Sequence, residues 1–145
     1  MGIETIEISE WICLVLLGGN AVQDVRKREI LLWPTLAAAG IGILWMLIGE
    51  RAKILPVAAS AAPGLILFSL AGATAGEIGA GDGLALIAAG IWSGLTQILY
   101  IAAGGLFLAA MAAGVLMITR SRIRRIPLVP FFLAAQIGCL FLQHV

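Results

Sequence analysis

Between Asp82 and Arg120 the chain reads GLALIAAGIWSGLTQILYIAAGGLFLAAMAAGVLMIT, residues 83–119, without one charged side chain. A helix that crosses a bilayer needs roughly 20 apolar residues. The stretch is therefore read as two helices, helix 4 over about 83–99 and helix 5 over about 102–119. Outward from it, apolar runs between charge clusters give helix 1 over about 6–24, helix 2 over about 30–49 and helix 3 over about 54–75. Helix 6 takes the remainder, from Pro127 almost to the C-terminus. Six such helices consume about 120 positions of a chain of 145. The expected fold class is all-α, a polytopic membrane protein of six transmembrane helices, with residues 1–145 as a single domain.

Composition supports this. A water-soluble domain carries about a quarter charged residues; here they are 12%, against 61% hydrophobic, and the net charge is +1. That excludes a soluble globule, a disordered tail and a nucleic-acid binder, which needs clustered basic surface. Cys13 and Cys139 lie in apolar runs with no CxxC pair, so neither a zinc site nor a disulfide framework follows and both are read as packed thiols. No metal or cofactor is expected. The opening MGIETIEISEW holds Glu4, Glu7 and Glu10 where a secretory signal has Lys or Arg; it is not read as a cleaved signal peptide, and these acids are expected to be solvated. Pro34, Pro56 and Pro130 fall near first turns, whereas Pro63-Gly64 falls mid-helix and predicts a kink. Gly40, Gly90, Gly94 and Gly114 are read as lying within helices, and the small residues of GIWSG, residues 90–94, suit close approach of neighbouring backbones.

Positively charged loops are retained in the cytoplasm. With the N-terminus outside, the cytoplasmic loops hold Arg26, Lys27, Arg28, Arg120, Arg122, Arg124 and Arg125, leaving Arg51 and Lys53 on the other face. Both termini are thus expected to be non-cytoplasmic.

Among the acids, Glu50 sits beside Arg51 and Glu29 ends the basic cluster VRKRE. The informative ones are Asp24 and Asp82, with Glu77 as a weaker third. Helix 1 runs inward and ends near Asp24, and helix 4 runs outward and starts near Asp82, so parity places both at the cytoplasmic face although 58 positions separate them. If helices 1 and 4 pack together, the carboxyls meet. Ionisable groups at membrane depth are costly, which makes such a pair a functional-site hypothesis. Two adjacent carboxyls share a proton, one serving as base and the other as acid; that suits attack of water on an amide without a metal or covalent intermediate. The single histidine, His144, belongs to the far face, so a Ser-His or Cys-His mechanism has no place to form. Two plain alternatives stay open: Asp24 pairing with Arg28 at i,i+4, and Asp82 as a helix N-cap. In GEIGAGDGLAL, residues 76–86, Gly79 and Gly81 leave the backbone before the acid free of bulk, which lets a peptide strand approach and which a bare cap does not require.

These residues resemble the type IV prepilin peptidases, membrane aspartyl proteases with a Gly-x-Gly-Asp signature. Gly79-Ala80-Gly81-Asp82 looks like the signature, and GIWSG like the small-and-Trp pattern that follows it. Asp24-Val25-Arg26-Lys27-Arg28-Glu29-Ile30 is similar to the family's first aspartate stretch, Asp-x-Arg-x-x-x-Ile, and RRIPLVPFFLAAQIG, residues 124–138, to the Ile-Pro-x-x-Pro-Phe that opens the last helix. The chain departs from the family's usual Ile-Pro-Asn after the first aspartate, reading Ile30-Leu31-Leu32-Trp33-Pro34, and has Leu84 where a Lys is common. The resemblance implies a transmembrane peptidase of the inner (plasma) membrane that cuts the basic leader from prepilins or pilin-like precursors, single-span proteins whose leader stays in the cytoplasm, at the cytoplasmic face, with Asp24 and Asp82 catalytic. It implies the short form without the cysteine-rich zinc domain, similar to those of Flp-type tight-adherence pili. Gly79 and Gly81 then form the active-site loop, Glu77 is a candidate contact for the leader, and the partners are the precursor and the lipid bilayer. The competing readings are a small transporter or channel subunit using Asp24 and Asp82 as an ion or proton site, for which no internal repeat is found, and a catalytically weak paralogue or scaffold of the same fold.

Overall fold

Six helices and no strand make up the described residues: α1 (Ile3–Lys27), α2 (Leu32–Gly49), α3 (Ile54–Ala73), α4 (Ala80–Ser93), α5 (Leu95–Ile118) and α6 (Val129–His144). The structure is a computed structural model, and it describes residues 3–27, 32–49, 54–74, 79–120, 126 and 128–144.

The uncharged stretch between Asp82 and Arg120 divides earlier than its apolarity suggests. Gly94 stands between α4 and α5 with φ 82 and ψ 169, a backbone conformation open to glycine and strained for other residues. Its N–H closes the last turn of α4 on the Gly90 carbonyl at 3.0 Å, and its own carbonyl accepts the Ile98 N–H at 3.0 Å, opening α5. Gly94 therefore separates two helices rather than lying within one, and the expected boundary near residue 100 is corrected. No charge marks the break; the glycine alone makes it.

Helix α4 is the centre of the molecule. It packs against α1, α2, α3 and α5, while α6 packs on α1 and α5. Eight of its residues are buried, Asp82 and Gly83 at one end and Ile91 near the other. Around it lie Cys13, Leu17 and Ala21, one face of α1, with Leu67, Ile98, Ile101, Val129 and Phe132. Contact with α3 is backbone to backbone. A side chain on Gly83 would meet the Phe68 backbone N at 2.7 Å, one on Gly90 would run into the Ser60 carbonyl, and one on Gly64 into the Ile87 backbone N. The close approach expected of the GIWSG run is thus present at Gly90. Trp92 reaches the other way, donating its indole Nε1–H to the Ala38 carbonyl at 2.9 Å and tying α4 to α2.

The distribution of polarity is the reverse of a soluble domain's. Trp33, Ile48, Leu55, Met117, Ile118 and Leu142 are each 80% or more exposed, whereas Glu10, Asn20, Thr35, Ser60, Asp82 and Gln136 are buried. Water does not tolerate apolar surface this extensive. Helices α3 and α5 are long and apolar enough to cross a membrane. Helices α2, α4 and α6 are apolar but shorter, and the 14 residues of α4 rise only about 21 Å against a hydrocarbon core of about 30 Å.

The N-terminal segment corrects a second expectation. Helix α1 begins at Ile3 rather than near residue 6, so the three acids belong to it, and Glu10 is 8% exposed rather than solvated. Its position one turn before Cys13 puts it on the face that α6 and α4 cover.

Candidate active site

The first turn of α4 is built from Gly79, Ala80, Gly81 and Asp82. Gly79 is the N-cap, with φ −69 and ψ 125 and no side-chain cap. Asp82 is the third residue inside the helix. Its N–H donates to the Gly79 carbonyl at 3.0 Å, and its carboxylate accepts the Gly79 backbone N–H. An acid that reaches back to the cap from this position satisfies one orphan donor of the helix start and sits favourably in the dipole. Asp82 is therefore not the N-cap, which corrects one of the two plain alternatives. The side chain is buried at 5% exposure, while Gly79 and Ala80 beside it are exposed and Gly81 is half-buried. One flank of the carboxyl is thus sealed by the bundle and the other is approachable.

Asp24 lies in the last turn of α1, half-buried. Its Oδ2 is shielded from solvent and has no hydrogen-bond partner among the described residues. Helices α1 and α4 pack together, and midway along them Cys13 Sγ stands 3.9 Å from the Ala89 carbonyl. From that crossing, Asp24 is about 16 Å further along α1 and Asp82 about 10 Å back along α4. The charge of Asp24 bears on Asp82, so both steps lead to the same end of the bundle and the two helices run antiparallel. Two carboxyls so placed, one with a free acceptor oxygen and one anchored on a helix start, have the parts needed to take a proton from water and to give one to a carbonyl oxygen. No cluster suited to holding a metal ion occurs among the described residues.

Glu77 lies outside the described residues, as does Arg28, the partner in the other plain alternative. Arg26, two positions past Asp24, is exposed. Sequence reasoning passed over the pair that fixes the end of α1: Asn20 Nδ2 donates to Thr35 Oγ1 at 3.0 Å and to the Leu16 carbonyl at 3.0 Å, linking α1 to α2 one turn from Asp24. The signal was an amide four residues before an aspartate in an otherwise apolar helix. Cys13 is buried, as expected of a packed thiol, and its Sγ–H also donates to Gln136 Oε1 at 3.3 Å, joining α1 to α6.

The family model of the type IV leader peptidase family matches residues 11–142. The chain belongs to this family and is accordingly a peptidase, a hydrolase of peptide bonds. No individually curated protein and no solved structure matches it.

Proposed function

We propose that this protein is an aspartic endopeptidase of the inner (plasma) membrane that removes the leader from type IV prepilins or pilin-like precursors at the cytoplasmic face. Six spans carry it, with both termini on the opposite side. The apolar exterior supports that placement, as do two helices long enough to cross and the cations that follow Asp24 in the sequence. The observation that carries the function is the approach of Asp24 and Asp82 at one end of the antiparallel α1–α4 pair, in a chain whose family cuts leader peptides.

In the proposed reaction, water lies between the two carboxyls. The ionised one takes a proton from the water as its oxygen attacks the scissile carbonyl carbon; the protonated one gives its proton to the carbonyl oxygen. Collapse of the resulting tetrahedral diol breaks the C–N bond, and a proton passes to the leaving amine. No covalent intermediate forms. The exposure of Gly79 and Ala80 supports entry of an extended peptide beside Asp82, and Glu77, two residues before Gly79, is the acid proposed to meet the basic leader.

The test is co-expression with a candidate prepilin, with Asp24→Asn and Asp82→Asn examined separately. Each variant is expected to insert normally and leave the precursor uncut. Normal maturation by either single variant would refute the two-carboxylate mechanism. Loss of ion or proton flux in vesicles, with maturation intact, would favour the transporter instead.

A further inference from the structure

Helices α1 and α2 are neighbours in sequence, yet each rests on α4 and the two touch little beyond the Asn20–Thr35 pair. Between them lies a cleft of about 500 Å³, open to the side of the bundle. On α1 it is walled by Trp11, Val15 and Gly19, on α2 by Ala38, and Asn20 and Thr35 form its polar end. From Trp11 to Asn20 it follows α1 for about 13 Å.

Three features define what this cleft accepts. First, its walls are apolar and its two polar side chains are occupied with each other, the Thr35 hydroxyl lying within 3.0 and 3.2 Å of the Asn20 amide. A polar peptide would gain nothing there, and an apolar one would leave no polar group unpaired. Second, small residues face it from both sides. A Cβ on Gly19 would meet nothing within 4 Å, so the space is not filled by the protein's own side chains, and paired small residues are what lets another helix backbone come close inside a membrane. Third, the cleft ends at Asn20, the i,i+4 neighbour of Asp24 on α1. Whatever lies along it is led to the carboxyl pair.

We infer that the α1–α2 cleft docks the apolar membrane-spanning helix of the substrate, which enters sideways from the bilayer and lies along α1 with its cytoplasmic end presented to Asp24 and Asp82. This rests on the function proposed above and adds the surface that recognises the part of the substrate beyond the cut. A lipid chain would also be apolar, but it carries no peptide bond, the bond that a leader peptidase cuts.

Two measurements on the full chain in vesicles test it. Gly19→Leu fills the cleft at a position with free space, and Gly114→Leu, equally free of neighbours and on α5 away from the cleft, is the control. Gly19→Leu is expected to raise KM for a membrane-inserted precursor about tenfold with kcat kept within about twofold, and Gly114→Leu to change neither. Equal effects of the two, or none from Gly19→Leu, overturn the inference. A photo-crosslinker at Val15 is expected to capture the apolar segment of the precursor, and one at Phe107 on α5 is not; adducts at Val15 to lipid alone or to a second copy of the chain overturn it. Crosslinking needs no turnover. An adduct without cleavage therefore counts against the catalytic reading, and cleavage without an adduct counts against the cleft.

Discussion

A side chain on Gly79 would place its Cβ 3.0 Å from Asp82 Oδ2. The glycine that caps α4 and the acid three residues inside it are thus fitted to each other, with the carboxylate turned back onto the cap's N–H. Gly79→Ala is expected to push the carboxyl out of register with Asp24 while leaving the helix intact, since an extended φ of −69 suits alanine. A misplacement of about 1 Å at a reacting group costs roughly 10²-fold in rate, so kcat should fall by about that factor with little change in the thermal midpoint. Retention of full kcat would show that the close fit has no catalytic role.

A pair that works as one base and one acid fixes the form of its pH dependence. At low pH both carboxyls carry protons and no base remains; at high pH both are ionised and no acid remains. The value of kcat/KM should therefore follow a bell, its two limbs belonging to the pair rather than to either residue. Initial rates of precursor cleavage across pH in detergent check this. A single rising or falling limb over the whole stable range would mean that only one of the acids titrates in catalysis.

The six helices were legible in sequence because apolar runs and charged loops alternate so plainly, and Asp24 and Asp82 were legible because so few acids interrupt those runs. Parity alone put both at one end. What sequence could not supply was whether α1 and α4 are neighbours, which depends on the fit of small residues such as Ala85 and Ala89 against Cys13 and Leu17. The break at Gly94 was missed because its cause is a single backbone torsion, not a change in polarity. The burial of Glu10 was missed because an acid near a chain start reads as solvated until the helix is seen to reach Ile3. The Asn20–Thr35 link joins side chains from two helices whose connecting residues say nothing about their register.

The α3–α4 contact makes a stability prediction independent of catalysis. Gly90 faces the Ser60 carbonyl so closely that any Cβ must displace backbone, and a Cβ on Gly83 would stand 2.7 Å from the Phe68 backbone N. Rigid backbone cannot rotate away as a flexible side chain does. Gly90→Ala and Gly83→Ala should each destabilise the bundle by about 1–3 kcal/mol, the usual cost of overpacking, seen as a lower thermal midpoint in detergent. Gly72→Ala, with nothing within 4 Å of its Cβ, should leave the midpoint unchanged. Similar behaviour of all three would mean that α3 and α4 do not meet through these glycines.

If Asp24 and Asp82 act on one water molecule, their losses cannot add. Either substitution alone removes half of a proton relay that has no function as a half, so Asp24→Asn should cost about as much as Asp82→Asn, and the double variant should cost little more than either. Residues that act as a unit behave in this way, with the remaining rate coming from binding and positioning alone. Single-turnover cleavage of a purified precursor provides the numbers, each variant first being checked for normal membrane insertion. A double variant slower by the product of the two single effects would mean that the acids work at separate steps, for instance one in catalysis and the other in holding the leader, and the shared-water geometry would have to be abandoned even with both residues still needed for activity.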